Sequence, residues 1–193
     1  SMDRVGIGDQ ILISGPIAAH GMAILSEREG LEFESEIQSD TTCLNHLVRD
    51  LLDEFGPDIH LLRDPTRGGV SATLNEIAAQ SGVGIRLQES RLPVRAEVRG
   101  ACELLGLDPL NVANEGKLLA FVAPEHAGRI LDVIRQNEYG RDAAVIGEVV
   151  AGDGFGQAGT HTGATAFAQR LDDVRGLRFI QFDSTIWTPL GAQ

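Results

Sequence analysis

Residues Lys117 to Pro124 read KLLAFVAP, and this stretch does most to limit what the chain can become. Leu118 to Ala123 are all apolar and a proline closes the run, so it has neither the alternation of a half-exposed strand nor the length of a helix. The pattern is that of a strand covered on both faces. At 193 residues, 42% of them hydrophobic, the chain is long enough to bury such a core, and no apolar run approaches membrane length. One domain is the default expectation, with two small ones as the alternative.

The rest of the sequence supplies the layers. Asp9 to Ser14 (DQILIS) reads as a short strand ended by Gly15-Pro16, with a helix through Met22, Ala23 and Leu25 after it. In LEFESEI, Leu31, Phe33 and Ile37 alternate with Glu32, Glu34 and Glu36, the period of a strand whose glutamates face water. Leu44, Leu47, Val48, Leu51, Leu52 and Phe55 form a helical stripe capped by Asp40 or Thr41 and ended by Gly56-Pro57. Cys43 then sits one turn before Leu47, near the buried stripe. Val70, Leu74, Ile77 and Ala78 make a second helical face that starts directly at Gly68-Gly69 and stops at Ser81-Gly82. VGIRLQES alternates as a strand, and Val94, Val98, Ala101, Cys102 and Leu105 space as a helix behind Pro93, which puts Cys102 in the core. Ala127, Ile130, Leu131 and Ile134 mark another helix, and AAVIGEVVAG a strand. Strands and helices alternate with short connections up to Val150, so periodicity by itself points to an α/β sheet with helices packed on it. Beyond Val150 the chain is dense in Gly, Thr and Ala, with one last strand expected around Phe179 to Phe182.

The formal net charge of -12 is spread along the chain, which argues against nucleic acid, whose phosphates need clustered Lys and Arg. Ser1-Met2 lacks the basic start, apolar stretch and small-residue cleavage site of a signal peptide, so a cytoplasmic protein away from membranes is expected. Cys43 and Cys102 have neither CxxC nor Cys/His ligand spacing, which leaves a disulfide framework or structural zinc without support. His20, His46, His60, His126 and His161 have neither HExxH nor His-x-His spacing, and no metal site is expected from them.

Two stretches hold groups that chemistry can use. In LLRDPTRGGVSATLNEIAAQSG a strand passes through Asp64-Pro65-Thr66-Arg67-Gly68-Gly69 into a helix. The first N–H groups of a helix lack partners and carry partial positive charge, so a phosphate can bind there, and glycines let it come close. Arg67 adds a forked cation, Thr66 a hydroxyl, and Asp64 a carboxylate for a hydrogen bond or a metal ion held elsewhere. The same residues also describe an ordinary strand-to-helix turn capped by Thr66. In NVANEGKLLAF, Asn114, Glu115 and Lys117 stand before the apolar strand: either a hairpin with surface charges, or a site where desolvation makes Glu115 a useful base. GFGQAG, Gly154 to Gly159, satisfies GxGxxG, yet THTGATAFA after it opens a helix poorly and too little chain follows for a Rossmann unit. NEGKLL is no Walker A motif, and no Ser or Cys has the sequence neighbours of an activated nucleophile.

Four blocks in order, ILISGPIAAHGMAIL, LLRDPTRGGVSATLNEIA, VRGACELLGLDPLNVANEGKLLAFV and DAAVIGEVV, closely resemble the C-terminal half of the HypE family of hydrogenase maturation factors. These are carbamoyl dehydratases of the aminoimidazole ribonucleotide synthetase (PurM-like) superfamily. The resemblance runs from about Val5 to Val150. It implies an α+β fold of the PurM (AIR synthase) C-terminal type, a mixed sheet with packed helices, over residues 1–150, followed by a divergent tail at 151–193. It also implies an ATP- and Mg2+-dependent reaction on the enzyme's own C-terminal cysteine, which a HypF-like carbamoyltransferase has converted to a thiocarboxamide. ATP phosphorylates the amide oxygen, phosphate leaves as the amide protons are removed, and the cyano group of the thiocyanate passes to iron on a HypC/HypD-like scaffold complex. The resemblance further implies a homodimer at full length. By this resemblance Asp64, Thr66, Arg67, Gly68, Gly69 and His20 would contact the nucleotide. Glu115 would act as general base oriented by Asn114, with Lys117 stabilising charge.

The chain departs from the family at several points. The family's N-terminal domain, which supplies most of the nucleotide and magnesium site and much of the dimer contact, has no counterpart in it. The family block SGPIGDHG reads SGPIAAHG, so Ala19 stands where the carboxylate belongs. The chain ends TPLGAQ where the family ends PRIC, without a terminal cysteine for the thiocarboxamide. The isolated chain is therefore expected to be inactive and to bind no cofactor tightly. Two other readings stay open: a non-catalytic docking module in hydrogenase maturation, and an ATP-dependent PurM-like enzyme acting on another amide or carbonyl substrate.

Overall fold

Alternation along each strand decides which residues face which layer. The computed structural model describes residues 1–31, 36–152 and 180–182, the last three by backbone alone. Within them β1 (Gln10–Ile13), β2 (Ile59–Arg63), β3 (Gly84–Leu87), β4 (Leu119–Val122), β5 (Ala144–Val150) and β6 (Ile180–Phe182) form one sheet in the order β2-β4-β1-β5-β3-β6. The pairs from β2 across to β3 are antiparallel and β3 with β6 is parallel. The sheet is thus mixed and the fold α+β, not the α/β type that periodicity suggests. Segments that read as crossovers between parallel neighbours instead carry the chain to antiparallel partners remote in sequence, such as Ile11 opposite Phe121.

β1 and β4 lie side by side inside the sheet, and all four β4 residues are buried, as KLLAFVAP predicts. Ile11, Ile13, Leu119 and Phe121 face one layer, where α3 (Gly69–Ser81) brings Val70, Leu74, Ile77 and Ala78. Leu12, Ala120 and Val122 face the other, where α2 (Asn45–Phe55) and α5 (Ala127–Gln136) bring Leu47, Leu51, Phe55, Ile130 and Ile134. Each fully buried Leu, Ile or Phe is worth ~1.5–3 kcal/mol of transfer free energy, so covering both faces fixes the strand's position firmly. A third cluster joins α1 (Ala19–Glu29) to α4 (Ala96–Leu105) through Ala18, Ala19, Met22, Val98, Ala101 and Cys102. A short 3-10 turn, Pro109–Asn111, follows and is capped by Asp108, whose Oδ1 accepts from Leu110 N at 2.9 Å.

Two expectations need correcting. α2 begins at Asn45 with Leu44 at its N-cap and no side-chain cap, because Asp40 and Thr41 are drawn away to Lys117 and His20. Cys43 accordingly lies on an exposed loop and not against the buried stripe, whereas Cys102 is buried as expected. Residues 32–35 of LEFESEI lie outside the described residues, and the flanking Leu31, Glu36 and Ile37 carry no strand. The expected last strand is present as β6, while GFGQAG and the rest of the tail lie outside the described residues. No described helix is long and apolar enough to cross a membrane.

Candidate functional site

The chain from Leu110 to Lys117 leads into β4 and is gripped by close backbone approaches that exclude larger residues. At the start of α3, Gly69 has φ +67°, and a Cβ there would collide with Leu110 O and lie 2.6 Å from Val112 O. In the loop itself Gly116 has φ +69°, and a Cβ would lie 2.5 Å from Thr42 N and 2.8 Å from Asp40 O. On the α1 side, Gly21 N donates to Ala113 O at 3.1 Å.

Asn114, 2% exposed, ties these elements together. Its Oδ1 accepts from Ala18 N at 2.7 Å, and its Nδ2 donates to Pro65 O at 3.1 Å and to Val112 O at 3.0 Å. Its backbone N donates to Pro65 O as well, at 3.2 Å. A buried amide with both ends satisfied has one orientation, so the loop is fixed to the start of α1 and to the turn before α3 at once. Ala18, the N-cap of α1, has φ +73°, the left-handed region that costs an L-residue ~1–2 kcal/mol.

Glu115, between the anchored Asn114 and Gly116, is exposed, so the desolvation expected of it does not occur in this domain. Lys117 points inward and is 6% exposed. Its Nζ lies 2.7 Å from Asp40 Oδ2, close enough for an ion pair but not aligned as a hydrogen bond, so that buried oxygen is left without one. Nζ donates instead to Gly116 O at 3.3 Å. Asp40 and Lys117 line a cleft of about 380 Å³ with Pro16, Arg95, Tyr139 and Arg141. His20 Nδ1 reaches Ser39 Oγ at 2.8 Å and Thr41 Oγ1 at 3.0 Å, so its partners are in the same 39–42 loop.

The glycine turn opens a 13-residue helix, whose first N–H groups carry partial positive charge. Thr66 does not cap α3 with its side chain: Gly68 is the N-cap, and Gly69 N donates to the Thr66 carbonyl at 3.0 Å. Asp64, Arg67 and Gly68 are exposed and Thr66 is half-buried. Neither Asp64 nor Arg67 makes a side-chain hydrogen bond or ion pair among the described residues. The structure therefore joins Asn114 to the turn, and Lys117 and His20 to the 39–42 loop. Sequence reasoning missed Ser39, Asp40 and Thr41 as members of this cluster, because Asp40 reads locally as a helix cap and nothing in the sequence marks its contact with Lys117. Of the two thiols, Cys102 is pushed up to about 11, chiefly by burial and then by the Asp108 carboxylate, against the opposing pull of Arg99.

Residues 6–158 match the family described as AIR synthase related protein, C-terminal domain. The carbamoyl dehydratase HypE of Bradyrhizobium diazoefficiens is 56% identical over 153 residues, 79% of this chain and 44% of that protein. The chain thus spans less than half the length of this curated relative. Among solved structures, a HypE chain of a HypE-HypF complex shares 47% identity over 78% of this chain and 49% of its own, with a TM-score of 0.76. A HypE crystallised in complex with ATP shares 50% identity over 78% and 45%, with a TM-score of 0.75. With the α+β fold and the Asn114-anchored loop already in place, these matches establish that the chain belongs to the AIR synthase related family, as a C-terminal domain of the kind found in HypE.

Proposed function

We propose that this chain is the C-terminal domain of a HypE-type NiFe-hydrogenase maturation protein and carries the general base of an ATP-dependent dehydration. The observation that supports this most is the anchoring of Asn114, which holds the Glu115 loop in fixed relation to the glycine turn before α3. A base and an anion site that must act on one small group need such a fixed relation. One solved relative was crystallised with ATP and another in complex with HypF.

In the proposed reaction ATP phosphorylates the oxygen of a thiocarboxamide that a HypF-like carbamoyltransferase has formed on a C-terminal cysteine. Phosphate departs as the amide protons leave, and the cyano group of the resulting thiocyanate passes as cyanide to iron on a HypC/HypD-like scaffold, which supplies the two electrons that release the cysteine as thiolate. Glu115 takes a proton from the amide nitrogen, Asn114 sets the direction of the loop, and Lys117 contributes positive charge. Thr66, Arg67, Gly68 and Gly69 receive phosphate oxygens, and His20 completes the edge of the site. Mg2+ neutralises phosphate charge when bound, with Asp64 as the carboxylate of this domain that would meet it. Most of the nucleotide site and the dimer contact come from an N-terminal domain, so this domain alone neither turns over nor binds ATP tightly. Cys102 is no substitute for a terminal cysteine, since it is buried between α1 and α4.

Calorimetric titration of ATP with Mg2+ tests the reading. A protein containing both domains should bind, and this chain alone should give no resolvable heat. Absence of binding by the two-domain protein would contradict the proposal.

A further inference from the structure

Resting on that reading, we propose that Asp40 is a positioning residue for the reaction, acting through Lys117 and Gly116 to hold Glu115 toward the substrate. The contacts around Glu115 form a closed circuit. Asn114 grips the start of α1 at Ala18, and His20 on α1 meets Ser39 and Thr41. Asp40, between those two hydroxyl residues, returns to the loop twice. Its carboxylate lies 2.7 Å from Lys117 Nζ, and its carbonyl lies where only a glycine at 116 leaves room.

Glu115 is thereby fixed from behind on both sides while it is itself exposed. Removing Asn114 would disturb the fold, because its bonds join three elements. Asp40 has a narrower role. Its carboxylate touches neither α3 nor the sheet core among the described contacts, and its oxygen Oδ2 has no aligned hydrogen bond to lose. Its main effect is electrostatic: it keeps a nearly buried ammonium in place and thereby sets the path of the backbone at Gly116 and Lys117.

The test compares Asp40→Asn with wild type in the two-domain protein carrying its thiocarboxamide, with Glu115→Gln as control. Asp40→Asn keeps the shape and removes the charge, at a cost in stability because the Lys117 ammonium loses its partner, so the variant is assayed well below its melting temperature. Asp40→Glu, which keeps the charge, should restore most of the rate. The kcat of Asp40→Asn for dehydration should fall by about tenfold to a hundredfold, the size expected of a misplacement near 1 Å, while KM for ATP stays within about twofold. Amide hydrogen exchange at Asn114 and Leu118, whose N–H groups donate to Pro65 O and Ser14 Oγ on either side of the loop, should quicken by at least about tenfold in the same variant, with exchange within β4 unchanged. Gly116→Ala, whose Cβ would press against Asp40 O and Thr42 N, should reproduce the kcat loss. Unchanged kcat and unchanged exchange in Asp40→Asn, with Glu115→Gln inactive, would overturn the positioning role alone. Full activity of Glu115→Gln would instead overturn the reading on which it rests.

Discussion

Asn114→Ala should unseat the loop and destabilise the domain by about 3–5 kcal/mol. The substitution leaves Ala18 N, which is buried, without its acceptor at 2.7 Å, and an unsatisfied buried donor costs ~1–3 kcal/mol. The two bonds from Nδ2 to Pro65 O and Val112 O add about 1 kcal/mol each. Pro65 O keeps the backbone N of residue 114 at 3.2 Å, which limits the damage there. With an urea m-value of about 2 kcal/mol/M, the midpoint of equilibrium unfolding should drop by roughly 1.5–2.5 M. Asn114→Asp separates the two ends of the amide, since it keeps the acceptor for Ala18 but turns oxygen toward two carbonyls. A carboxyl so placed ionises less readily folded than unfolded, so the deficit of this variant should deepen as pH rises from about 4 to 7. A loss below about 1 kcal/mol in Asn114→Ala would show that the bonds exist without bearing on stability, and the argument for a fixed loop would fail.

Four further outcomes follow from the structure. In the native protein Cys43 should react with a thiol reagent and Cys102 should not, as read by mass spectrometry. Because the Cys102 thiol is raised to about 11 from 9.0, stability should fall as pH climbs between those values, and Cys102→Ala should flatten that part of the profile. Gly69→Ala combines a left-handed φ with a collision against Leu110 O, so thermal denaturation should register a loss of about 2–5 kcal/mol. Ala18→Gly removes a buried methyl worth ~0.8 kcal/mol but relieves ~1–2 kcal/mol of left-handed strain, so its stability should stay within about 1 kcal/mol of wild type.

Much of the fold is legible because burial leaves a period in the sequence. The stripes of α2, α3, α4 and α5 and the continuous run of β4 each announce what covers them. Pairing leaves no such trace: nothing in DQILIS says that β1 lies antiparallel between β4 and β5, and alternating elements mimic an α/β order. The site divides in the same way. Asn114, Glu115 and Lys117 stand out as polar residues before a buried strand, and the glycine turn stands out by its composition. Asp40 was hidden, since its carboxylate is adjacent to a helix in sequence yet is held by an ammonium 77 positions away, with a buried contact only the fold creates. Cys43 reads as buried for the same reason: its segment follows a loop held by His20 and Lys117, and α2 begins only at Asn45.

If Glu115 removes a proton from the amide during an ATP-dependent dehydration, losing its carboxylate should stop the reaction with ATP still bound. A single-turnover experiment decides this on a two-domain protein with a preformed thiocarboxamide at a terminal cysteine, the mass of the C-terminal peptide being followed after ATP and Mg2+ are added. In Glu115→Gln the thiocarboxamide should persist although ATP is still bound. Conversion to thiocyanate at the wild-type rate would contradict the account.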